Sequence, residues 1–188
     1  LNQFRFGGCL ADDMGLGKTI QTLALLQKQK EIGEKNASII IMPTSLIHNW
    51  ENEAVKFAPN LKVFAYTGAR RIKESSAFSG YDLILTSYGI ARIDTDILSK
   101  YLFNYIILDE SQIIKNSTSI ISKAVAVLNS THKLILSGTP IENSVNDIWP
   151  QMSFVNPGLL GIQSYFKNNF VIPIEKDKDV LKLERLQL

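Results

Sequence analysis

The segment Gly15-Leu16-Gly17-Lys18-Thr19 contains the residue types that surround a phosphate group. Glycines let a backbone wrap around an anion, so that its amide N–H groups and the start of a following helix face the charge. In such a loop the lysine, here Lys18, reaches the β- and γ-phosphates, and the hydroxyl of Thr19 binds Mg²⁺. The segment therefore predicts phosphate binding. The alternative is a glycine-rich turn whose lysine is solvated.

One position departs from the general phosphate-loop pattern. That pattern has a glycine five residues before Gly17, where this chain has Asp12. A dinucleotide-binding turn fits less well, because its third glycine would fall at Ile20. The spacing favours a nucleotide phosphate loop over a dinucleotide site.

Two adjacent carboxylates, Asp109 and Glu110, follow the apolar stretch 105–108. At a strand end beside a phosphate loop, Asp109 can hold Mg²⁺ as a Walker-B aspartate does. Glu110 can then activate the attacking water as a general base. For this pair alone, an acidic loop start or a helix cap is the alternative. Together with the loop, the pair predicts hydrolysis of a nucleoside triphosphate.

Three further segments place small hydroxyl residues after apolar stretches: Ser137-Gly138-Thr139-Pro140, Pro43-Thr44-Ser45 and Thr86-Ser87-Tyr88. The first can sense the γ-phosphate or relay its loss. The other two offer hydroxyl and amide groups of the kind that contact nucleic-acid phosphates without reading sequence. Turns and helix caps explain all three segments equally well.

Short apolar strands and amphipathic helices alternate along the chain and must position these residues. Six strands are expected, at 8–11, 38–42, 61–66, 82–87, 105–108 and 133–136. Helices are expected at 18–31, from Thr44 or Ser45 to about residue 58, and at 117–128, 163–170 and 178–188. The polar stretch 69–79 is a further helix candidate.

Strands separated by helices predict right-handed crossovers and an α/β fold, with a mostly parallel sheet flanked by helices. In such sheets ligands bind at the carboxyl ends of the strands, which is where all five polar segments fall. We expect residues 1–155 to form this sheet domain and residues 156–188 to begin a helical part outside it.

The composition is that of a globular chain of 188 residues, with 45% hydrophobic, 9% aromatic and 20% charged residues. Twenty basic against eighteen acidic residues give a net charge of +2, which neither predicts nor excludes a nucleic-acid partner. One cysteine excludes an internal disulfide and a cysteine-rich zinc site. Because no apolar run approaches about 18 residues and no signal segment is present, we expect no membrane partner and a cytoplasmic location. The first residue is Leu1, so we expect a fragment of a longer protein.

Several conspicuous side chains have an ordinary structural interpretation. The basic cluster Arg70, Arg71 and Lys73 is expected on a solvated helix face, with a phosphate-contacting patch as the alternative. Trp50 is expected in the core rather than as a platform for a base. Cys9 is expected to be a small apolar core residue.

Six segments, in order, resemble the motifs of the Swi/Snf-type ATPases of helicase superfamily two. Residues 10–21 are similar to motif I, which in that family carries the Asp12 that departs from the general loop. The other similarities are 43–46 with Asn49-Trp50 (motif Ia), 86–88 (the next nucleic-acid-facing segment), 109–112 (motif II, with Gln112 where many members have histidine), 137–143 (motif III) and 156–161 (the approach to the helical protrusion).

The resemblance implies the first RecA-like lobe of a P-loop NTPase that uses ATP and Mg²⁺, moves along double-stranded DNA and remodels a protein bound there, of unknown identity. It implies phosphate-loop contacts from Asp13, Met14, Gly15, Leu16, Gly17, Lys18 and Thr19, and Mg²⁺ ligands Thr19 and Asp109. It implies catalytic roles for Glu110, Lys18 and Gln112, and coupling by Ser137, Gly138 and Thr139. It implies nucleic-acid contacts from Pro43, Thr44, Ser45, Thr86 and Ser87.

The resemblance also implies parts that this chain does not contain. A second RecA-like lobe with arginine fingers would follow Leu188, and an adenine-contacting glutamine motif would precede motif I, where Gln3 is not a convincing match. Because those arginines stabilise the charge on the transferred phosphate, we expect the chain alone to hydrolyse ATP hardly at all. The terse connections resemble bacterial or archaeal members, which would associate with the nucleoid if bacterial. The alternatives are an RNA helicase or restriction-type translocase lobe, or a nucleotide-gated scaffold that binds DNA or protein.

Overall fold

The computed structural model describes residues 6–13 and 15–187, whose strands form one parallel sheet in the order β1-β6-β5-β2-β4-β3. The strands are β1 (Gly8–Leu10), β2 (Ser38–Met42), β3 (Val63–Ala65), β4 (Leu83–Ser87), β5 (Leu102–Asp109) and β6 (Asn129–Leu136). The helices are α1 (Lys18–Glu31), α2 (Ile47–Phe57), α3 (Tyr88–Ile93), α4 (Thr95–Leu98), α5 (Ile120–Ala126), α6 (Ile148–Val155), α7 (Gln163–Phe166), α8 (Ile172–Glu175) and α9 (Val180–Gln187). Short 3₁₀ turns cover Thr44–Leu46, Ser75–Gly80, Ser111–Ile114 and Val145–Asp147, and a π turn covers Lys167–Val171.

Helices cover both faces of the sheet, which explains why its central strands are mostly apolar. All five residues of β2 are buried, and so are all five residues of β4. In the register, Ile40 of β2 pairs with Ile107 of β5 on one side and with Leu85 of β4 on the other. A strand that is buried on both faces has no polar alternation, as the sequence of β2 predicted.

Two apolar clusters form the core, one on each side of the sheet. Leu23 of α1 and Trp50 of α2 pack on one face against Ile40 and Ile107. On the other face α3, α5 and α6 cover the sheet, with Tyr88, Val125 and Phe154 in contact with Ile106 and its neighbours. The two faces together fix the strand ends that carry the polar segments.

The expected α/β architecture is confirmed, and the predicted bounds of α1 and β2 are correct. The third strand is shorter than the predicted range 61–66, and the helix predicted at 117–128 covers only Ile120–Ala126. The stretch 69–79 is not an α-helix, since only its last part enters a 3₁₀ turn. Helices α3, α4, α6 and α8 were not predicted, because three of them are short and α6 has a proline in its first turn. The end of the expected last helix at Leu188 lies outside the described residues.

Strand β1 is at the edge of the sheet, and this position overturns the prediction for Cys9. Cys9 is exposed rather than part of the core, because β6 pairs with β1 on one side only. The Asn156 side chain also meets this region: its Oδ1 accepts from the Gly7 N–H at 2.7 Å, and its amide donates to the Gly7 carbonyl at 3.1 Å. The start of the C-terminal segment is therefore attached to the sheet. None of the helices in the described part of the chain has the length and apolarity that crossing a membrane requires.

Candidate nucleotide site

The phosphate-loop segment adopts a conformation that requires its two glycines. Gly15 and Gly17 have φ angles of 88° and 79°, in the left-handed region that side chains disfavour. Beyond the adjacent backbone, no atom lies within 4 Å of the place where a Cβ would stand on either glycine, so the backbone angle rather than crowding excludes larger residues. Gly17 is the N-cap of α1, so the loop ends at a helix N-terminus. Met14, also assigned to this loop, lies outside the described residues.

Lys18 is held inside the loop by backbone carbonyl groups. Its Nζ donates to the carbonyl oxygen of Asp12 at 2.7 Å and to that of Asp13 at 3.1 Å. The Asp12 carboxylate accepts from Nε2 of Gln21 at 3.0 Å, and this amide also lies 3.3 Å from the Leu16 carbonyl. Asp12, which departs from the general loop pattern, thus connects the loop to α1. The role of Gln21 was not predicted, and its position at the end of motif I was the available signal.

The loop and the end of β5 line one cleft with a volume of about 410 Å³. Six predicted site residues meet there: Gly15, Gly17, Lys18, Thr19, Asp109 and Glu110. The remaining lining residues are Ile20, Leu46, Asn49, Trp50 and Glu53. Sequence reasoning assigned no site role to the α2 residues Asn49 and Glu53, although their spacing, with Leu46, follows one helix face.

Asp109 is largely buried at the end of β5, with 8% of its surface exposed. Its Oδ2 accepts from the indole Nε1 of Trp50 at 2.8 Å, and its Oδ1 accepts from the Glu110 N–H at 3.0 Å. The Tyr88 hydroxyl donates to the Asp109 carbonyl oxygen at 2.8 Å. Burial raises the pKa of Asp109, and the hydrogen bond from Trp50 and the charge of Lys18 oppose that rise. Trp50 is a core residue as predicted, at 1% exposure, but its polar contact was not foreseen.

The oxygen groups in this cleft suit Mg²⁺. The Asp109 carboxylate and the Thr19 hydroxyl are hard donors, and Mg²⁺ in nucleotide sites commonly takes one or two protein oxygens together with phosphate oxygens. Among the described residues, no group of three or more His, Cys, Asp and Glu side chains is arranged to hold a metal by itself. Thr19 and Asp109 therefore fit a metal ion that is also bound by the phosphate oxygens of a ligand.

A chain of hydrogen bonds runs from Glu110 to the loop after β6. Nε2 of Gln112 donates to Oε2 of Glu110 at 2.7 Å, and Oε1 of Gln112 accepts from the Ser137 hydroxyl at 2.9 Å. The Ser137 oxygen in turn accepts from the Thr139 N–H at 3.1 Å. Glu110 has φ 52° and ψ 53°, a left-handed conformation that is rare for a residue with a side chain. The predicted catalytic and coupling residues are thus physically connected.

A second network, which was not predicted, joins the same two segments to α6. Gln151 is completely buried, and its Oε1 accepts from the Ser111 hydroxyl at 2.6 Å. Its Nε2 donates to the carbonyl oxygens of Pro140 at 2.6 Å and Asp147 at 3.0 Å. The amide of Gln151 therefore ties the turn after β5, the loop after β6 and the approach to α6 together. A glutamine within an apolar helical stretch was the only sequence signal for it.

The end of the loop after β6 is held by Asp147. Its Oδ2 accepts from the backbone N–H groups of Glu142, Asn143 and Ser144 at 3.2, 3.0 and 3.3 Å. Burial raises the pKa of Asp147, but these three donors outweigh it and bring that pKa below its usual value. Glu175 of α8 accepts from the Ser144 hydroxyl at 2.8 Å, so the C-terminal helices contact the same loop.

The hydroxyl groups assigned to nucleic acid fall into two kinds. Thr44 and Ser45 are exposed in the 3₁₀ turn after β2, whose N-cap is Pro43. Thr86 is completely buried and donates to the Tyr66 carbonyl oxygen at 2.9 Å. Ser87, at 5% exposure, accepts from the Ile90 N–H as the N-cap of α3. The capping interpretation thus accounts for Ser87, and both the Thr86 and the Ser87 hydroxyl already have a hydrogen-bond partner within the chain.

The basic cluster is not a solvated helix face. Arg71 lies in an irregular segment, and its guanidinium forms an ion pair with the buried Asp94 at 2.5 Å. The Tyr66 hydroxyl donates to the same carboxylate oxygen at 2.8 Å. Burial raises the Asp94 pKa, but the hydrogen bonds from Arg71 and Tyr66 outweigh it and lower the pKa. Arg70 and Lys73 remain exposed, so the prediction of solvation holds for these two alone.

Comparisons with known proteins agree with this geometry. The SNF2-related domain matches residues 1–187. A Bacillus subtilis protein named as an ATP-dependent helicase/translocase, YwqA, is 44% identical over the whole of this chain and 21% of its own length. The TATA-binding protein-associated factor MOT1 of Saccharomyces cerevisiae is 41% identical over 99% of this chain and 11% of its own length. The chain thus spans about a fifth or less of these relatives.

A solved structure gives the same result for the fold. The Sulfolobus solfataricus SWI2/SNF2 ATPase core in complex with dsDNA superimposes with a TM-score of 0.88 and 45% identity. That match covers 98% of this chain and 38% of the Sulfolobus chain. Together with the domain match over residues 1–187, it establishes that this chain belongs to the SNF2-related domain family.

Proposed function

We propose that this chain is the ATP-binding lobe of a DNA-dependent ATPase that translocates on double-stranded DNA and remodels protein–DNA complexes. The observation that carries the proposal is the meeting of Lys18, Thr19, Asp109 and Glu110 in one cleft. The hydrogen bonds from Glu110 through Gln112 to Ser137 give that cleft a connection to the loop after β6. A static nucleotide-binding module does not need such a connection.

The roles follow from the chemistry of each group. Backbone N–H groups of Gly15 to Lys18 and the Lys18 ammonium bind the phosphates, as an anion site at a helix N-terminus requires. Thr19 and Asp109 would hold Mg²⁺, which when bound neutralises phosphate charge. Glu110 accepts a proton from the attacking water, and Gln112 holds the Glu110 carboxylate in place.

On the nucleic-acid side, the candidates are the exposed hydroxyls of Thr44 and Ser45 at the carboxyl end of β2. Hydroxyl and amide groups contact the phosphate backbone without reading sequence, which suits a motor that moves over any sequence. The Sulfolobus relative in complex with dsDNA supports duplex DNA as the partner, and the TATA-binding protein-associated factor MOT1 supports a role near a DNA-bound protein. A cytoplasmic location, with association with the nucleoid if the protein is bacterial, belongs to the same proposal.

The catalytic cycle we propose needs a second RecA-like lobe. The chain corresponds to 38% of the Sulfolobus core, which leaves room in that relative for such a lobe. An arginine from a second lobe accelerates phosphoryl transfer in related NTPases by about 10³-fold or more. The boundary between residues 1–155 and 156–188, where the helical protrusion begins, belongs to the same proposal.

Nucleotide binding by the chain itself is the first test. A fluorescent ATP analogue should bind in the presence of Mg²⁺, and Lys18→Ala should weaken its affinity about 10-fold or more, since a charge-assisted hydrogen bond is removed. Lys28→Ala, on the exposed side of α1, is the matched control and should leave the affinity unchanged. Equal affinities for the wild type and Lys18→Ala would contradict the phosphate-loop assignment.

The motor function is tested in a longer version of the protein that includes the second lobe. Its ATPase rate should rise with duplex DNA, and Glu110→Gln should abolish turnover while ATP binding persists. Stimulation by RNA instead of duplex DNA would point to an RNA helicase lobe. Unchanged biological activity of Glu110→Gln would indicate a nucleotide-gated scaffold.

A further inference from the structure

The hydrogen bond between Trp50 and Asp109 joins helix α2 to the end of β5 inside the nucleotide cleft. The indole Nε1–H donates to Oδ2 of Asp109 at 2.8 Å, and both residues line the cleft. Trp50 is 1% exposed and Asp109 is 8% exposed, so water competes little for this bond. A hydrogen bond to a charged group at such a site is stronger than one between neutral groups.

Two hydrogen bonds orient the Asp109 carboxylate but leave part of its capacity as an acceptor free. Oδ2 accepts from Trp50 and Oδ1 accepts from the Glu110 N–H, so each oxygen has one donor. An ionised carboxylate offers about four acceptor sites, so two remain for a cation. Two donors on opposite oxygens fix the rotation of the carboxylate about its last side-chain bond.

Trp50 itself has little freedom to move away from Asp109. Its ring belongs to the apolar cluster that contains Leu23 and Leu26 of α1 and Ile40 of β2. Rotating the indole out of this cluster would expose one of the largest buried side chains of the lobe. The indole nitrogen can only donate a hydrogen bond, so no rotation of the ring presents an acceptor that would repel the carboxylate.

We propose that Trp50 is a positioning residue for the magnesium site, which holds the Asp109 carboxylate in the orientation that binds the metal. This inference rests on the proposed function, since that function makes Asp109 a Mg²⁺ ligand. Loss of a group that hydrogen-bonds a metal-binding side chain commonly lowers metal affinity by about 10- to 100-fold. In this role Trp50 acts through Asp109 and touches neither the nucleotide nor the metal.

The decisive variant is Trp50→Phe in the full chain, because phenylalanine keeps most of the apolar ring and removes only the donor. We expect the Mg²⁺ concentration for half-maximal binding of a fluorescent ATP analogue to rise about 10-fold or more. Nucleotide affinity measured in EDTA should stay unchanged, since Lys18 and the loop are intact. Binding of Mn²⁺ in place of Mg²⁺, followed by electron paramagnetic resonance, should weaken by the same factor.

Trp149→Phe is the matched control. Trp149 is the other tryptophan of the chain, and its Nε1 donates to the Gly161 carbonyl at 3.1 Å, away from the cleft. This variant should show the wild-type dependence on Mg²⁺ and Mn²⁺. It also leaves Trp50 as the single indole fluorophore.

The Trp149→Phe chain provides a second measurement that does not depend on how well Trp50→Phe folds. Mn²⁺ is a paramagnetic quencher, so Mn²⁺ bound with nucleotide at Asp109 should quench Trp50 emission. If resonance spectra show Mn²⁺ bound while Trp50 emission stays constant, the metal does not lie at Asp109, and the proposed metal site fails together with this inference.

The possible failures are distinguishable. If the wild type binds no nucleotide in a Mg²⁺-dependent way, the proposed function fails at its first step. If the wild type does so and a folded Trp50→Phe shows the same Mg²⁺ dependence, the positioning role alone is wrong. A loss of affinity for nucleotide in EDTA as well would mean that Trp50 shapes the phosphate loop and not the metal ligand, which also contradicts the inference.

Discussion

The Ser137 hydroxyl donates to Oε1 of Gln112 at 2.9 Å, so the end of β6 is hydrogen-bonded to the turn that follows β5. Gln112 also donates to Glu110, so two successive hydrogen bonds join the Glu110 carboxylate to Ser137. If Glu110 is the general base that we propose, this chain connects it with the loop 137–143.

Replacing Ser137 with alanine should cut this connection without disturbing the phosphate loop. In the wild type, we expect Mg²⁺ and a slowly hydrolysed ATP analogue to increase the hydrogen-exchange protection of residues 137–143. In Ser137→Ala that increase should disappear, while affinity for the analogue stays within about twofold. The same protection change in variant and wild type would show that the connection is not used.

The ion pair between Arg71 and Asp94 should be a major contributor to stability. Asp94 is 4% exposed, so Arg71→Met leaves a buried carboxylate without its cation and should cost about 3 kcal/mol in the free energy of unfolding. Arg70→Met, at the exposed neighbour, should change it by less than about 0.5 kcal/mol. Urea unfolding followed by circular dichroism measures both, and equal effects would contradict the buried pair.

Removing the third member of this group gives a graded result. Tyr66→Phe deletes one neutral donor to Asp94 and should cost about 1 kcal/mol, less than Arg71→Met. Burial, followed by the effect of Asp94, raises the pKa of Tyr66 to about 12, so its hydroxyl remains a donor throughout the neutral range.

Gln151 should be more important for stability than its neutral side chain suggests. Gln151→Leu leaves the Ser111 hydroxyl and the Pro140 carbonyl without their partner, and we expect a loss of about 2 kcal/mol. Ser111→Ala removes only one of these bonds and should cost about 1 kcal/mol. Thermal unfolding of both variants provides the comparison. A stabilised Gln151→Leu chain would show that apolar packing outweighs the network.

The Asp147 carboxylate predicts a pH dependence with a definite sign. Its pKa in the folded chain lies below the usual value, so its stabilising effect is complete above the unfolded-state pKa of about 3.9 and disappears as the pH falls through the folded value. The difference in unfolding free energy between wild type and Asp147→Asn should therefore be constant from about pH 6 to 8 and shrink below about pH 4. A difference that grows on acidification would be incompatible with the three backbone donors.

The sequence was sufficient for the parts of the fold and site that depend on local pattern. The apolar run of β2 and the spacing of α1 are visible in the sequence, and parallel strands bring Lys18 and Asp109 to one edge of the sheet. What could not be predicted depends on contacts between residues far apart in the chain. The indole of Trp50 and the carboxylate of Asp109 are separated by 59 positions, and neither residue signals the other.

The same reason explains the errors. The residues around Cys9 are typical of a buried strand. The exposure of Cys9, however, depends on the place of β1 in the sheet order, which the sequence of one strand does not reveal. Arg71 resembles its neighbour Arg70 in type and position, yet its side chain is only 8% exposed and pairs with Asp94, 23 residues later. Burial of a polar residue is a property of the tertiary neighbourhood rather than of the local sequence.

The left-handed backbone conformation of Glu110 lowers stability at the position of the proposed general base. A residue with a side chain costs about 1 kcal/mol in this conformation, which glycine adopts freely. A screen for thermostable variants should therefore favour Glu110→Gly, and each Glu110→Gly clone would lack the carboxylate that we propose as the general base. Under that proposal, directed evolution for stability alone would select against turnover, unless position 110 is kept fixed.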